Sequence, residues 1–173
     1  ITNDDVPGTL VVEKVVINDN GGSLKATDFK FKVDGGSAVA FAQDGGNVLA
    51  GKNTLSVSAG SHSVVEDALP IAGYTTTYSN CANVSVANGA TQTCEITNDD
   101  QPGTLIVKKT VINDNGGTMK ATDFKFKLDG GAAVAFVQDG GNQLALQSSL
   151  PASASRHSVV EDALPIAGYT TTY

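Results

Sequence analysis

Tryptophan is absent from this 173-residue sequence, methionine occurs once and cysteine only twice. Two cysteines with no CxxC spacing leave no zinc-type ligand cluster. Charge is sparse as well, at 17% of residues, against about 25% in ordinary soluble domains. What charge there is leans acidic: 11 Lys and Arg stand against 18 Asp and Glu, a formal net charge of -7. A chain so short of cations has no basic stripe for nucleic acid and no polybasic patch for anionic lipid. No apolar run approaches the ~18 residues of a membrane helix, so no membrane insertion is expected of this segment. A nucleophile elbow, a zincin helix and a phosphate loop are also missing. Neither a turnover enzyme nor a cofactor is therefore expected.

What the sequence has is a repeat. Ile1-Thr2-Asn3-Asp4-Asp5 returns as Ile96-Thr97-Asn98-Asp99-Asp100, and residues 1–78 align on 96–173 with 18 mismatches. Solenoid repeats run about 20–50 residues and share a core with their neighbours, whereas a ~95-residue period is the size of a whole sandwich domain. The expected organisation is a complete unit over 6–100 and a second unit over 101–173 lacking its last strands. Residues 1–5 read as the closing strand of a preceding repeat, so both ends look like cuts through a longer array. The joint Asp99-Asp100-Gln101-Pro102-Gly103 is short and contains Pro, which predicts a stiff connection rather than a loose tether.

Within a unit the hydrophobic period is 2. Phe29, Phe31 and Val33 alternate with Lys30 and Lys32, and Asp34-Gly35-Gly36 supplies a hairpin turn towards Ala38–Ala42. A second Gly-rich turn covers Asp44–Asn47. Further strands are expected at Thr9–Ile17, Asn53–Ser58, His62–Asp67, Tyr74–Ser79, Asn83–Ala87 and Thr91–Thr97. Short strands at this spacing, with no capped helical segment, predict an all-β fold of tandem antiparallel β-sandwiches. Cys81 and Cys94 flank one of these strands. A disulfide between them would close a loop of about 14 residues, worth roughly 3 kcal/mol on loop entropy, and would place the protein outside the cytoplasm. The alternative is a pair of free buried thiols.

Three polar residues fall on inward-facing positions. Lys14 shares the parity of Leu10, Val12 and Val16, as Lys109 does with Leu105, Val107 and Val111. Glu66 is in phase with Val64, and Asn98 with Cys94 and Ile96. An unpaired ammonium among core aliphatics costs several kcal/mol, so it must be paired, neutralised or chemically consumed. Burial lowers a lysine pKa and raises a glutamic acid pKa, so the two can be neutral together. A neutral amine is a nucleophile. It can attack the Asn98 carboxamide while Glu66 moves protons, giving a Lys14–Asn98 isopeptide bond. The competing reading is a buried Lys14–Glu66 ion pair that Asn98 only completes. Lys109 and Glu161 repeat the first two members. Their Asn would come either from a continuing array, the favoured reading, or from Asn3 of a neighbouring copy.

The order of a first-strand Lys14, then Glu66-Asp67-Ala68-Leu69-Pro70-Ile71-Ala72-Gly73-Tyr74, then Ile96-Thr97-Asn98 resembles the Cna-B or SpaA-like prealbumin-type repeat domains of microbial surface proteins. The resemblance implies a prealbumin-like, reverse-immunoglobulin type of sandwich and a structural role in an adhesin, pilus or other cell-surface fibre. Neighbouring copies or repeats of the same protein are then the expected partners. The alternative function is an adhesin-type module binding a carbohydrate or host surface, for which Tyr74–Tyr78 offers aromatic rings. Asp99 and Asp100 are a low-ranked candidate for calcium, since Asp and Asn are also ordinary turn formers. His62 and His157 are expected to be structural.

Overall fold

Alternation along the strands dictates which side chains meet. In a computed structural model, which describes residues 1–137, 142–163 and 165–173, the chain divides into Ile1–Pro102 and Gly103–Tyr173. The first unit contains β1 (Gly8–Ile17), β2 (Lys30–Val33), β3 (Val39–Ala40), β4 (Gln43–Asp44), β5 (Asn47–Val57), β6 (Gly60–His62), β7 (Val64–Glu66), β8 (Tyr74–Ser79), β9 (Val84–Val86) and β10 (Thr91–Asp100). The order β4-β5-β1-β10-β8 forms one sheet, β3-β2-β7 a second, and β6-β9 a short pair. Leu10 and Val12 of β1, Ile96 of β10, Phe31 of β2 and Val64 of β7 are buried together in one core between these sheets.

The all-β class holds, with refinements. β1 and β10, the first and last strands of the unit, are neighbours and run parallel, whereas the other strand pairings of the unit are antiparallel. The segment His62–Asp67, read as one strand, is two. β6 pairs with β9 and β7 with β2. Asp34 holds the break: its carboxylate accepts the Ser63 amide at 2.8 Å, and its own amide donates to the Ser63 carbonyl at 2.9 Å. Asp34 has φ 51° and Gly35 φ 71°, the left-handed pair that the hairpin between β2 and β3 requires. β5 begins at Asn47, earlier than expected, because the strand resumes directly after the Gly45-Gly46 turn. Residues 1–7 form no strand, and the two compact units divide after Pro102. Asp99 and Asp100 pair with Thr75 and Tyr74 of β8, and the Gln101 amide donates to the Gly73 carbonyl, so these residues belong to the first unit.

The second unit contains β11 (Gly103–Thr110), β12 (Lys125–Leu128), β13 (Ala133–Ala135), β14 (Ala145–Ala152) and β15 (Val159–Glu161). β11 pairs with β14, and β13-β12-β15 make the other sheet. Val111, Ala121, Phe124, Phe126, Phe136 and Leu146 are its core.

Cys81 and Cys94 form a disulfide, with both residues buried in the first core. It ties β10 to the segment leaving β8. Replacing both by Ala is expected to lower the stability of the first unit by about 2–4 kcal/mol, read from urea denaturation. An unchanged midpoint would show that the bridge does not constrain the unfolded chain.

His62 Nδ1 lies 2.7 Å from Asp34 Oδ2, and its Nε2 faces the Ser58 carbonyl at 2.9 Å. The Asp34 contact foremost, then Ser58, raises the imidazole pKa, while His62 and the Ser63 amide lower that of Asp34. His157 and Asp129 repeat the arrangement at 2.7 Å. A raised imidazole pKa stabilises the fold below the unfolded value of about 6.5 and loses that contribution as pH rises through the folded value. The lowered carboxylate contributes above about 3.9 and fades as pH falls through its folded value. Stability should therefore decline as pH rises from about 6.5 through the raised folded value of the imidazoles. The double variant Asp34→Asn/Asp129→Asn should flatten that slope in thermal melts; an identical slope would contradict the assignment.

Candidate functional site

Three strands deliver three polar side chains to one point in the first core. Lys14 comes from β1, Asn98 from β10 beside it, and Glu66 from β7 in the opposing sheet. Lys14 is 1% exposed, Glu66 4% and Asn98 0%, so all three are cut off from water. In the β1–β10 register Lys14 stands opposite Ile96 and Val16 opposite Asn98. The two side chains are thus one pleat apart on the same face, within mutual reach. Lys14 Nζ lies 2.6 Å from Glu66 Oε1 and contacts Asn98 Oδ1. The Asn98 Nδ2 donates to Glu66 Oε2 at 3.0 Å. One carboxylate therefore spans both the amine and the amide nitrogen.

Electrostatics follow from the enclosure. Burial pushes the Lys14 amine below its ordinary pKa, and the hydrogen bond and charge of Glu66 offset part of that fall. Nζ also stands 4.3 Å from the centroid of the Phe29 ring, a face that accepts either a cation or an N–H group. Among the described residues, no buried side-chain nitrogen or oxygen lacks a hydrogen-bond partner.

Several supporting residues escaped the sequence reading. Thr76 is directly opposite Asn98 in the β8–β10 register. Its hydroxyl donates to Glu66 Oε2 at 3.1 Å and accepts from Asn98 Nδ2 at 3.0 Å. Tyr78 accepts the Glu66 amide through its hydroxyl at 3.2 Å. Gly51 faces Lys14 across the β1–β5 pairing, and a β-carbon there would lie 3.1 Å from the β-carbons of both Lys14 and Phe41. Only the period-2 phase of Thr76 and Tyr78, the parity that points both towards Glu66, hinted at these roles.

The second unit builds the same arrangement from Lys109, Glu161, Thr171 and Tyr173. Lys109 Nζ contacts Glu161 Oε1, Thr171 donates to Glu161 Oε2 at 2.7 Å, and the Glu161 amide donates to the Tyr173 hydroxyl at 3.0 Å. Lys109 Nζ is 4.0 Å from the centroid of the Phe124 ring. Leu146 takes the place of Gly51 opposite the lysine. Asn3 is exposed and is not brought to either lysine.

Asp19, Asp99 and Asp100 each place a carboxylate oxygen within 4.8 Å of the others. Asp100 is already engaged: it is 3% exposed and accepts the amides of Asp19 at 2.9 Å, Asn20 at 3.0 Å and Gly22 at 2.6 Å. Burial alone would raise its pKa, but these donors outweigh it and hold the carboxyl below the usual range. The Asp19-Asn20-Gly21-Gly22 loop is anchored on β10 by this carboxylate. A β-carbon on Gly22 would come 2.3 Å from the Tyr74 hydroxyl, so glycine is needed for the close approach. Tyr74 itself donates to Asn18 at 2.6 Å and accepts the Leu24 amide at 3.2 Å.

Replacing Thr76 by Val leaves the Glu66 and Asn98 groups one partner short in a dry site, which is expected to cost about 1–3 kcal/mol. Thr77→Val on the exposed face of the same strand is expected to change stability by less than about 0.5 kcal/mol. Equal effects of the two substitutions in denaturant titrations would mean that Thr76 has no special place.

Among solved structures, the chain is similar to the Bacillus anthracis TIE protein, with 18% identity over 90% of this chain and 31% of that one, at a TM-score of 0.42. It is also similar to a streptococcal ancillary pilin, with 18% identity over 95% of this chain and 56% of that one, at a TM-score of 0.32. The chain spans less than two thirds of either of these proteins. No curated protein matches it. The prealbumin-like fold domain of the SpaA_2 type matches residues 5–98 and again 100–173, once for each copy of the repeat, and the chain belongs to that family.

Proposed function

We propose that the chain is a structural segment of an extracellular cell-surface fibre, stalk or filament, whose units resist unravelling through a Lys14–Asn98 isopeptide bond and the Cys81–Cys94 disulfide. The observation that carries this reading is the Glu66 carboxylate, which spans the Lys14 amine and the Asn98 amide nitrogen inside a core closed to water. The neutral Lys14 Nζ attacks Asn98 Cγ, forming the C–N bond. Glu66 Oε1 takes the proton that the amine loses, and Oε2 supplies a proton to Nδ2 as the Cγ–Nδ2 bond breaks. Ammonia leaves, and Glu66 ends in the protonation state in which it began. Confinement of the two groups in a folded core supplies the effective molarity that an amide and an amine lack in water. The chemistry runs once per molecule, so no turnover activity is proposed.

A tie between β1 and β10 suits a load-bearing role, because these are the first and last strands of the unit and lie side by side. Tension entering at one and leaving at the other passes through the bond instead of through the intervening strands. Close identity between the two units also favours a repeated mechanical element over a dedicated receptor site. The Tyr74 ring packs against the core and its hydroxyl is held by Asn18, which leaves Tyr78 as the exposed ring of the pair and no paired aromatic platform for the carbohydrate-binding alternative.

Intact mass of the folded chain is the test. With the Cys81–Cys94 disulfide reduced, the wild type is expected about 17 Da below the sequence mass, one ammonia, and Glu66→Ala at the full mass of its own sequence. A folded wild type of unmodified mass would overturn the reading.

A further inference from the structure

β8 carries three consecutive threonines, and strand parity separates them. Thr75 and Thr77 are exposed, whereas Thr76 is half-buried and turns towards the polar groups of the first core. It stands opposite Asn98 in the β8–β10 register. The Asn98 carboxamide has two N–H groups, and each has an acceptor: Nδ2 donates to Glu66 Oε2 and to Thr76 Oγ1, both at 3.0 Å. Its Oδ1 is thereby turned to the Lys14 amine. The reverse orientation would set a carbonyl oxygen against a carboxylate oxygen, and the hydroxyl proton of Thr76 is already committed to Glu66 Oε2 at 3.1 Å. The amide is thus held one way round, its nitrogen towards the acid and hydroxyl and its oxygen towards the amine. Thr171 makes the same contact in the second unit, to Glu161 Oε2 at 2.7 Å.

We propose that Thr76 is a catalytic residue of the first unit: its hydroxyl fixes the orientation of the Asn98 carboxamide and passes the Glu66 proton to the leaving nitrogen. The inference rests on the bond formation proposed above. An amide nitrogen has no free lone pair, and both of its N–H groups lie in the amide plane, aimed at their acceptors. A lone pair appears only when Nζ adds to Cγ and Nδ2 becomes pyramidal. The group that delivers the proton must then switch from accepting to donating. Glu66 is pinned at Oε1 by Lys14, whereas a hydroxyl exchanges the two roles by rotating about one bond. With amine and acid both neutral, Nζ forms its bond to Cγ and gives one proton to Oε1. The proton on Oε2 moves to Thr76 Oγ1 as the hydroxyl proton moves to Nδ2. The Cγ–Nδ2 bond breaks, its electron pair stays on nitrogen, and ammonia leaves. Glu66 and Thr76 each end with one acidic proton, as they began.

The test follows the reaction in time. The full chain, recovered unfolded in guanidinium before it has ever folded, is diluted into buffer, quenched in acid at intervals and weighed with its cysteines reduced. Far-ultraviolet ellipticity tracks folding in parallel. The wild type should fold and then lose about 17 Da. Thr76→Val, of the same shape but without the hydroxyl, should fold and lose that mass about 100-fold more slowly, as expected when a placed proton donor is removed. Thr76→Ala should be slowed alike, and it serves as the reading if the valine variant does not fold. Thr76→Ser keeps the hydroxyl and should stay within about threefold of the wild type, as should Thr77→Val on the exposed face. Loss from the folded valine or alanine variant at the wild-type rate, or a serine variant as slow as those two, would overturn the role of Thr76 and leave the bond in place. A folded wild type that never loses the mass would instead overturn the bond, and this role with it.

Discussion

A lysine amine sealed among aliphatic and aromatic side chains is the constraint on which the rest of the first unit depends. Lys14 cannot sit there as an unpaired cation, since transfer of a lone charge into such a core costs several kcal/mol. Every neighbour answers that cost. Glu66 reaches across from the other sheet, Asn98 meets the amine from the adjacent strand, the Phe29 ring lies beneath it, and Gly51 leaves room for its stem. Thr76 and Tyr78 then complete the hydrogen bonds of the carboxylate and its backbone. An ion pair alone would be a poor reason to keep such a group, because a buried pair is often no more stable than apolar residues of the same volume. The proposed conversion to a neutral amide would remove the charge and add a covalent tie, which makes the arrangement intelligible.

Topology places this contact where the first and last strands of the unit lie side by side. β10 is bounded by β1 and β8, and the structure gives it an anchor on each side: the Lys14–Asn98 contact towards β1 and the disulfide near the end of β8. Its last residue, Asp100, holds the loop that leaves β1. The closing strand is thus the most heavily fastened element of the unit. The second unit brings the equivalent lysine, glutamate, threonine and tyrosine together in the same way. Preorganisation of this kind is what a reaction with no external catalyst needs.

Much of this was legible from period-2 parity, because parity is a property of single strands. Lys14 among Leu10, Val12 and Val16, Glu66 after Val64, and Asn98 after Ile96 each show an inward polar residue without any knowledge of pairing. The Asp34-Gly35 turn was legible because few residue pairs accept its positive φ angles. What parity does not carry is which strands are neighbours. The parallel contact of β1 with β10 joins residues more than eighty positions apart, and the roles of Thr76 and Gly51 exist only once those registers are set. The break at Ser63 was hidden for a similar reason: alternation runs unbroken from His62 to Glu66 while the chain passes from one sheet to another, directed by a carboxylate nearly thirty residues upstream.

In the proposed chemistry an amine, an acid and an amide from three strands meet in a dry core and leave a covalent bond behind. Protease digestion of the folded chain followed by tandem mass spectrometry reads that bond directly. One branched peptide is expected, in which the Lys14 side chain is joined to the former Asn98 side chain. Recovery of the two segments only as separate linear peptides, with Lys14 and Asn98 both intact, would contradict it.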